Sequence, residues 1–129
     1  TFSSRGLGDV YKRQNIPKAW IKSYNEVLGT SWDWQPRFVI DGVQYVHGEG
    51  GTARTRVKND MISCVQGHIH TQCYVEHLCG QDKNIFAMQV GCGIDRESYS
   101  QAYARNYKKP AIACGVVIGG HTAINVMMD

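Results

Sequence analysis

A mixed α/β fold of the α+β class is what this 129-residue chain predicts. Three observations carry that expectation: short apolar runs punctuated by glycine, an Asp-Gly pair between two such runs, and stretches whose apolar residues recur at helical spacing. The sheet is expected to be mixed or mainly antiparallel, with two to three helices beside it.

Taken in order, Pro17 suits the first turn of a helix over 17–28, where a missing N–H costs nothing. Trp20, Ile21, Tyr24, Val27 and Leu28 form one apolar stripe, and Gly29 closes it. Arg37-Phe38-Val39-Ile40 and Val43-Gln44-Tyr45-Val46 then flank Asp41-Gly42, a strong two-residue hairpin signal. Thr52 can cap a short helix to about Asp60, whose first amides favour an anion. Residues 61–66 predict a buried strand ending at Gly67-His68. Further strands are predicted over 71–78 and 85–90. Asp95 can cap a helix over 95–107, with Tyr99, Ala102, Tyr103 and Asn106 on one side. Residues 111–118 and 122–128 pair across Gly119-Gly120.

Composition removes several functional classes. No apolar run reaches the length of a membrane span, and no hydrophobic signal segment opens the chain, so no membrane partner is expected. Cys64, Cys73, Cys79, Cys92 and Cys114 are odd in number and contain no Cys-x-x-Cys. They read as buried reduced thiols of a cytoplasmic protein, not as a disulfide frame or zinc ribbon. Residues 4–14 resemble translated adapter sequence of the kind found ahead of unrelated reading frames. On that reading 1–14 is a non-native segment and 15–129 is the domain; a basic arm for nucleic acid is the other reading. Arg5, Lys12 and Arg13 against Asp9 give 1–14 a net +2 of the chain's +3, leaving +1 for the rest. A nearly neutral body makes no electrostatic case for nucleic-acid binding.

Chemistry concentrates on three histidines at the ends of apolar segments beside glycine: His47 before Gly48, then His68 and His70 after Gly67. Neutral imidazole is the commonest metal ligand, and the glycines permit the tight backbone paths a metal-lined cleft needs. In extended backbone, His68 and His70 would face one way, roughly 6–7 Å apart. Glu49 can serve as a ligand, a base or a loop carboxylate. With Gly50, Gly51 and Arg54 it marks a candidate phosphate vicinity; the cluster Arg54, Arg56 and Lys58 is a solvated helix face or, close after His47, a group that helps hold a phosphate. His77 and His121 are expected to be structural or exposed. Cys92 lacks an adjacent histidine to activate it, so Gly91 and Gly93 are read as backbone devices.

The ordered series "YVHGEGG", "VQGHIHTQ" and "MQVGCGID" resembles the C-terminal half of a calcineurin-like metallophosphoesterase, in a phage and prophage branch. The likeness runs from about Trp32 to the C-terminus. It implies a four-layer αββα sandwich and a hydrolase whose two divalent ions (Mn, Zn or Fe) turn a bridging water into hydroxide that attacks a phosphomonoester or phosphodiester. His47 and His68 would hold one ion and His70 the other. The substrate would be phosphorylated, with nucleic acid or nucleotide among the choices.

The family's Asp-x-His, Gly-Asp-x-x-Asp and catalytic Asn-His are not present. Gly8-Asp9 lacks the second aspartate, with Arg13 close by instead. Half an active site is therefore expected: at most one ion, no catalytic residue, and an inactive fragment of an active parent. A missing first half would also leave an apolar sheet face uncovered and prone to self-association. The alternative is a non-catalytic metal-binding or structural fragment.

Overall fold

The computed structural model describes residues 19–95 and 109–128. The chain divides after Pro36 into two units. In the first, α1 spans Ala19–Leu28. Gly29 ends it at φ +64°, and the Thr30 N–H reaches back to the Asn25 carbonyl at 3.0 Å, the six-to-one closure glycine makes possible. The Asn25 amide gathers the following loop: its oxygen accepts from Trp34 Nε1 at 2.8 Å, and its nitrogen donates to the Trp32 carbonyl at 3.0 Å. Val27 stays 83% exposed, so the expected apolar stripe is not buried along its length. The expected start at Pro17 lies outside the described residues, as do 1–14 and the helix predicted over 95–107.

The second unit is a mixed five-stranded sheet with one helix and a separate hairpin. Its strands are β1 (Arg37–Ile40), β2 (Val43–Val46), β3 (Ser63–Gln66), β4 (Cys73–Cys79) and β5 (Asn84–Val90), in the order β1-β2-β3-β5-β4. The three central strands β2, β3 and β5 run parallel, and the two edge strands run antiparallel to their neighbours. Asp41 and Gly42 both take positive φ, +51° and +75°, the type I′ geometry that matches strand twist. Beyond the sheet, β6 (Ala113–Ile118) and β7 (Thr122–Met127) pair antiparallel. No described helix is long and apolar enough to cross a membrane.

Between β2 and β3 the chain crosses through α2 (Ala53–Asp60). By composition this is a weak helix, because only Ala53 and Val57 are apolar. Eight residues are marginal in water, so packing and caps must hold it. Thr52 Oγ1 accepts the Thr55 N–H at 3.3 Å, while Met61 turns left-handed and returns its N–H to the Val57 carbonyl at 2.8 Å. Ala53 and Val57 are buried on Cys64 and Ala87, with Val46, Tyr74, Leu78 and Ile85 around them. Burying Val57 contributes about 1.5–3 kcal/mol.

Strand alternation sends the other set of side chains to the opposite face, where Val43, Phe86 and Met88 form a second cluster. The sequence leads one to expect this face bare. Instead Val117 and Ala123 of the hairpin pack onto it, so the chain supplies its own second layer there. Gly115 makes the approach possible, since a Cβ would fall 2.6 Å from the Met88 methyl. The hairpin also carries exposed apolar side chains: Val116 pairs with Ile124 and Cys114 with Val126, all exposed. All five cysteines are free thiols; the expectation that they are buried holds for Cys64 alone, while Cys79 and Cys114 are exposed.

After β5, Gly91 takes φ +67°, and a side chain there would run into the Ala111 carbonyl. The Cys92 N–H donates to that carbonyl at 3.0 Å, and the Ala113 N–H returns to Cys92 at 3.1 Å. Gly93, in open space, has no such constraint. Gly91→Ala is therefore expected to cost roughly 2–4 kcal/mol in urea unfolding, and Gly93→Ala to stay within about 0.5 kcal/mol. Equal effects at the two positions would contradict this account.

Candidate metal centre

Parallel β2 and β3 are in register, Val46 beside Gln66, so the loops leaving their C-terminal ends emerge together. That edge is where open α/β sheets place their ligands. His47 is the first residue after β2, and His68 is the second after β3. The Gly67 N–H continues the ladder by donating to the Val46 carbonyl at 3.4 Å. Gly48 then bends the first loop at φ +104°. It is buried against Gln66, whose side chain would lie 2.9 Å from any Cβ.

His68 does not sit in extended backbone, as period-two reasoning would have it. Its φ is +67°, and the Ile69 N–H closes onto the Gly67 carbonyl at 2.8 Å. This three-residue turn is uncommon for a residue bearing a Cβ. The turn removes the alternation on which the His68–His70 spacing rested, and its consequence is a contact with His47. His47 Nε2 and His68 Nδ1 lie 3.3 Å apart, with ring centroids at 5.3 Å and planes at 73°.

That separation has a chemical meaning. Two nitrogens bound at about 2.0–2.1 Å to one tetrahedral ion stand roughly 3.3–3.4 Å apart. His70 lies close enough for its charge to act on His47, and for that of His68 to act on it. Its carbonyl accepts the Ala111 N–H at 2.7 Å, which ties this turn to the segment leading into β6. Among the described residues, no three His, Cys, Asp or Glu side chains form a group that could hold one ion. The structure thus brings His47 and His68 to ligand spacing and leaves His70 beside them.

Glu49, Gly50 and Gly51 continue from His47 toward α2, and Gly50, Gly51, Thr52 and Thr55 are among the residues lining a cleft of about 280 Å³. Arg56, Asn59 and Asp60 line it as well. Arg54 is not part of it. One residue past buried Ala53, Arg54 faces β4, where its Nε bonds Glu76 and its guanidinium lies 4.8 Å over the Tyr74 ring. Glu76 raises the Arg54 pKa. Of the basic cluster Arg54, Arg56 and Lys58, Arg56 lines the cleft.

Sequence reasoning also missed three buried glutamines. Gln44, Gln66 and Gln89, at 1% exposure or less, stand on the α2 face of three adjacent strands. Gln44 accepts from Arg37 Nε and donates to Asp60, both at 3.0 Å. Gln66 donates to the Gly51 carbonyl at 3.0 Å and accepts from Arg56 Nε at 3.3 Å. Gln89 accepts the Ala53 N–H at 3.2 Å and donates to the Gly67 carbonyl. The signal was a glutamine in each of three short, largely apolar strands, Val43–Val46, Ser63–Gln66 and Asn84–Val90.

The remaining candidates are placed elsewhere. Burial pushes the Cys64 thiol up to about 11, making it inert. The Cys92 sulfur lies 3.8 Å from the Ala111 carbonyl. His77 and His121 are exposed, and His121 Nδ1 stands 2.8 Å from the Thr122 hydroxyl. No protein-family model, curated protein or solved structure matches this chain.

Burial, then the charges of His68 and His70, holds the His47 imidazole below its ordinary 6.5; burial, then His68, lowers His70. Neutral rings with a free lone pair are the form a metal requires. A ring that loses proton affinity on folding is protonated first in the unfolded chain. Stability is therefore complete above about pH 6.5 and declines as the pH falls below it. Urea melts from about pH 7.5 down to 5 should show that decline, and His47→Asn should flatten it. A wild-type profile without slope would remove this reading.

Proposed function

We propose that this chain is part of a calcineurin-like, metal-dependent phosphoesterase, with His47 and His68 holding one divalent ion and His70 facing a second site. The observation that carries the reading is the 3.3 Å nitrogen separation between rings from adjacent parallel strand ends. The donors suit Zn or Fe, which imidazole binds well, whereas Mn favours oxygen ligands, and the depressed proton affinity of His47 favours its neutral form. When bound in a pair, such ions supply a Lewis acid and a hydroxide at neutral pH. The parent fold would be a four-layer αββα sandwich, with the β6–β7 hairpin as part of its second sheet.

This chain's own residues bind and orient. Gly48 and the left-handed turn at His68 bring a nitrogen of each ring to within 3.3 Å of the other, and the Gly50–Thr55 cleft with Arg56 offers donors to a phosphoryl group of a nucleotide, nucleic acid or other phosphate ester. A second reading, a metal-binding or structural fragment without catalysis, is favoured by the ligand count. Two rings at one-ion spacing leave a four-ligand site half built.

Calorimetric titration with Zn²⁺ or Mn²⁺ separates these readings from a protein without a metal. One site is expected, weakened by roughly tenfold or more in His68→Ala. Manganese-dependent hydrolysis of bis-p-nitrophenyl phosphate is expected from an intact relative and not from this chain. Binding unaffected by His68→Ala would sink both readings. Self-association through the exposed apolar side chains of the hairpin is the companion expectation: sedimentation should show oligomers that Ile124→Lys disperses, and a monomeric wild type refutes it.

A further inference from the structure

We propose that Gln89 is a positioning residue for the His47–His68 pair, an inference that rests on the metal site proposed above. Its side chain is fully buried on a central strand, where an apolar residue of similar volume would pack without the cost of dehydrating an amide. Both ends of that amide are used. The oxygen accepts the N–H of Ala53, the first residue of α2, at 3.2 Å, and the nitrogen donates to the carbonyl of Gly67.

The two partners sit at significant points of the chain. Ala53 closes the loop that opens at His47, and Gly67 directly precedes His68. One side chain therefore joins the far end of the first histidine's loop to the peptide that carries the second. The Gly67 carbonyl also accepts the Ile69 N–H at 2.8 Å, so two donors converge on it. That convergence holds the Gly67–His68 peptide plane, and with it the left-handed backbone from which the His68 ring meets His47. Gln66, paired with Gln89 in register, holds Gly51 in the same loop at 3.0 Å. Asn125 of β7 steadies Gln89 from the opposite side, donating to its backbone carbonyl at 3.2 Å.

A residue that only stabilised the sheet would lower the unfolding midpoint and leave the folded site unchanged. A positioning residue alters the site in protein that remains folded. The test uses Gln89→Leu in the full chain, read without metal by the nuclear Overhauser contact between the His47 and His68 rings, and with Zn²⁺ by calorimetry. In folded Gln89→Leu the ring contact is expected to vanish and zinc affinity to fall about 10–100-fold. A retained ring contact, or zinc affinity unchanged from that of a zinc-binding wild type, overturns the proposal.

Should the leucine variant not fold, Gln89→Glu keeps the acceptor for Ala53 but presents no donor to Gly67 when ionised, and the same two losses are expected. In the wild type, the Gln89 side-chain amide protons should exchange slowly and show contacts to His68; fast exchange refutes the bonding itself. A wild type that takes up no zinc, yet loses its ring contact in Gln89→Leu, would remove the metal reading and uphold the positioning role.

Discussion

Parallel pairing of β2 with β3 is the constraint from which the rest follows. Parallel strands cannot be joined by a tight turn and need a crossover, which residues 47–62 supply with α2 at their centre. Both strands then end at the same edge of the sheet, and histidines 21 residues apart in sequence come to 3.3 Å. Were β3 antiparallel, its four residues would carry His68 to the opposite edge, roughly 13 Å away. The weak helix α2 is thus the connector on which the histidine contact depends.

What holds that connector is partly polar. Val57 and Ala53 contribute the apolar contact, but three buried amides and the groups they bond occupy the rest of the interface between helix and sheet. Each such bond adds only about 0.5–1.5 kcal/mol net, whereas leaving one of these groups unpaired costs about 1–3 kcal/mol. The amides therefore discriminate among arrangements more than they stabilise the fold: a helix shifted by one turn would strand several of them at once. This suits a site built on loops, where rings must be held to a few tenths of an ångström by backbone that has no ladder of its own.

Much of the architecture was legible in local patterns. Asp41-Gly42 foretold a turn because few other dipeptides accept positive φ at both positions, and Thr52 foretold a helix start because its hydroxyl can satisfy an orphan amide. β1 and β2 fall where the apolar runs on either side of Asp41-Gly42 placed them. Harder to see was the geometry of His68. Period-two reasoning treats the backbone as extended, and one left-handed residue breaks that rule without leaving a compositional mark, because histidine is not glycine.

By itself the sequence determined the local events: roughly where strands lie, which turns close, which residues carry imidazole lone pairs. These depend on backbone sterics and side-chain chemistry within a few residues. Only the tertiary structure decided which strands lie parallel, that a hairpin covers the Phe86 and Met88 face, and that buried glutamines tie the two histidine loops together. Those outcomes depend on partners far apart in the chain, where the free energy of packing and of satisfying buried polar groups, not local preference, selects the neighbour.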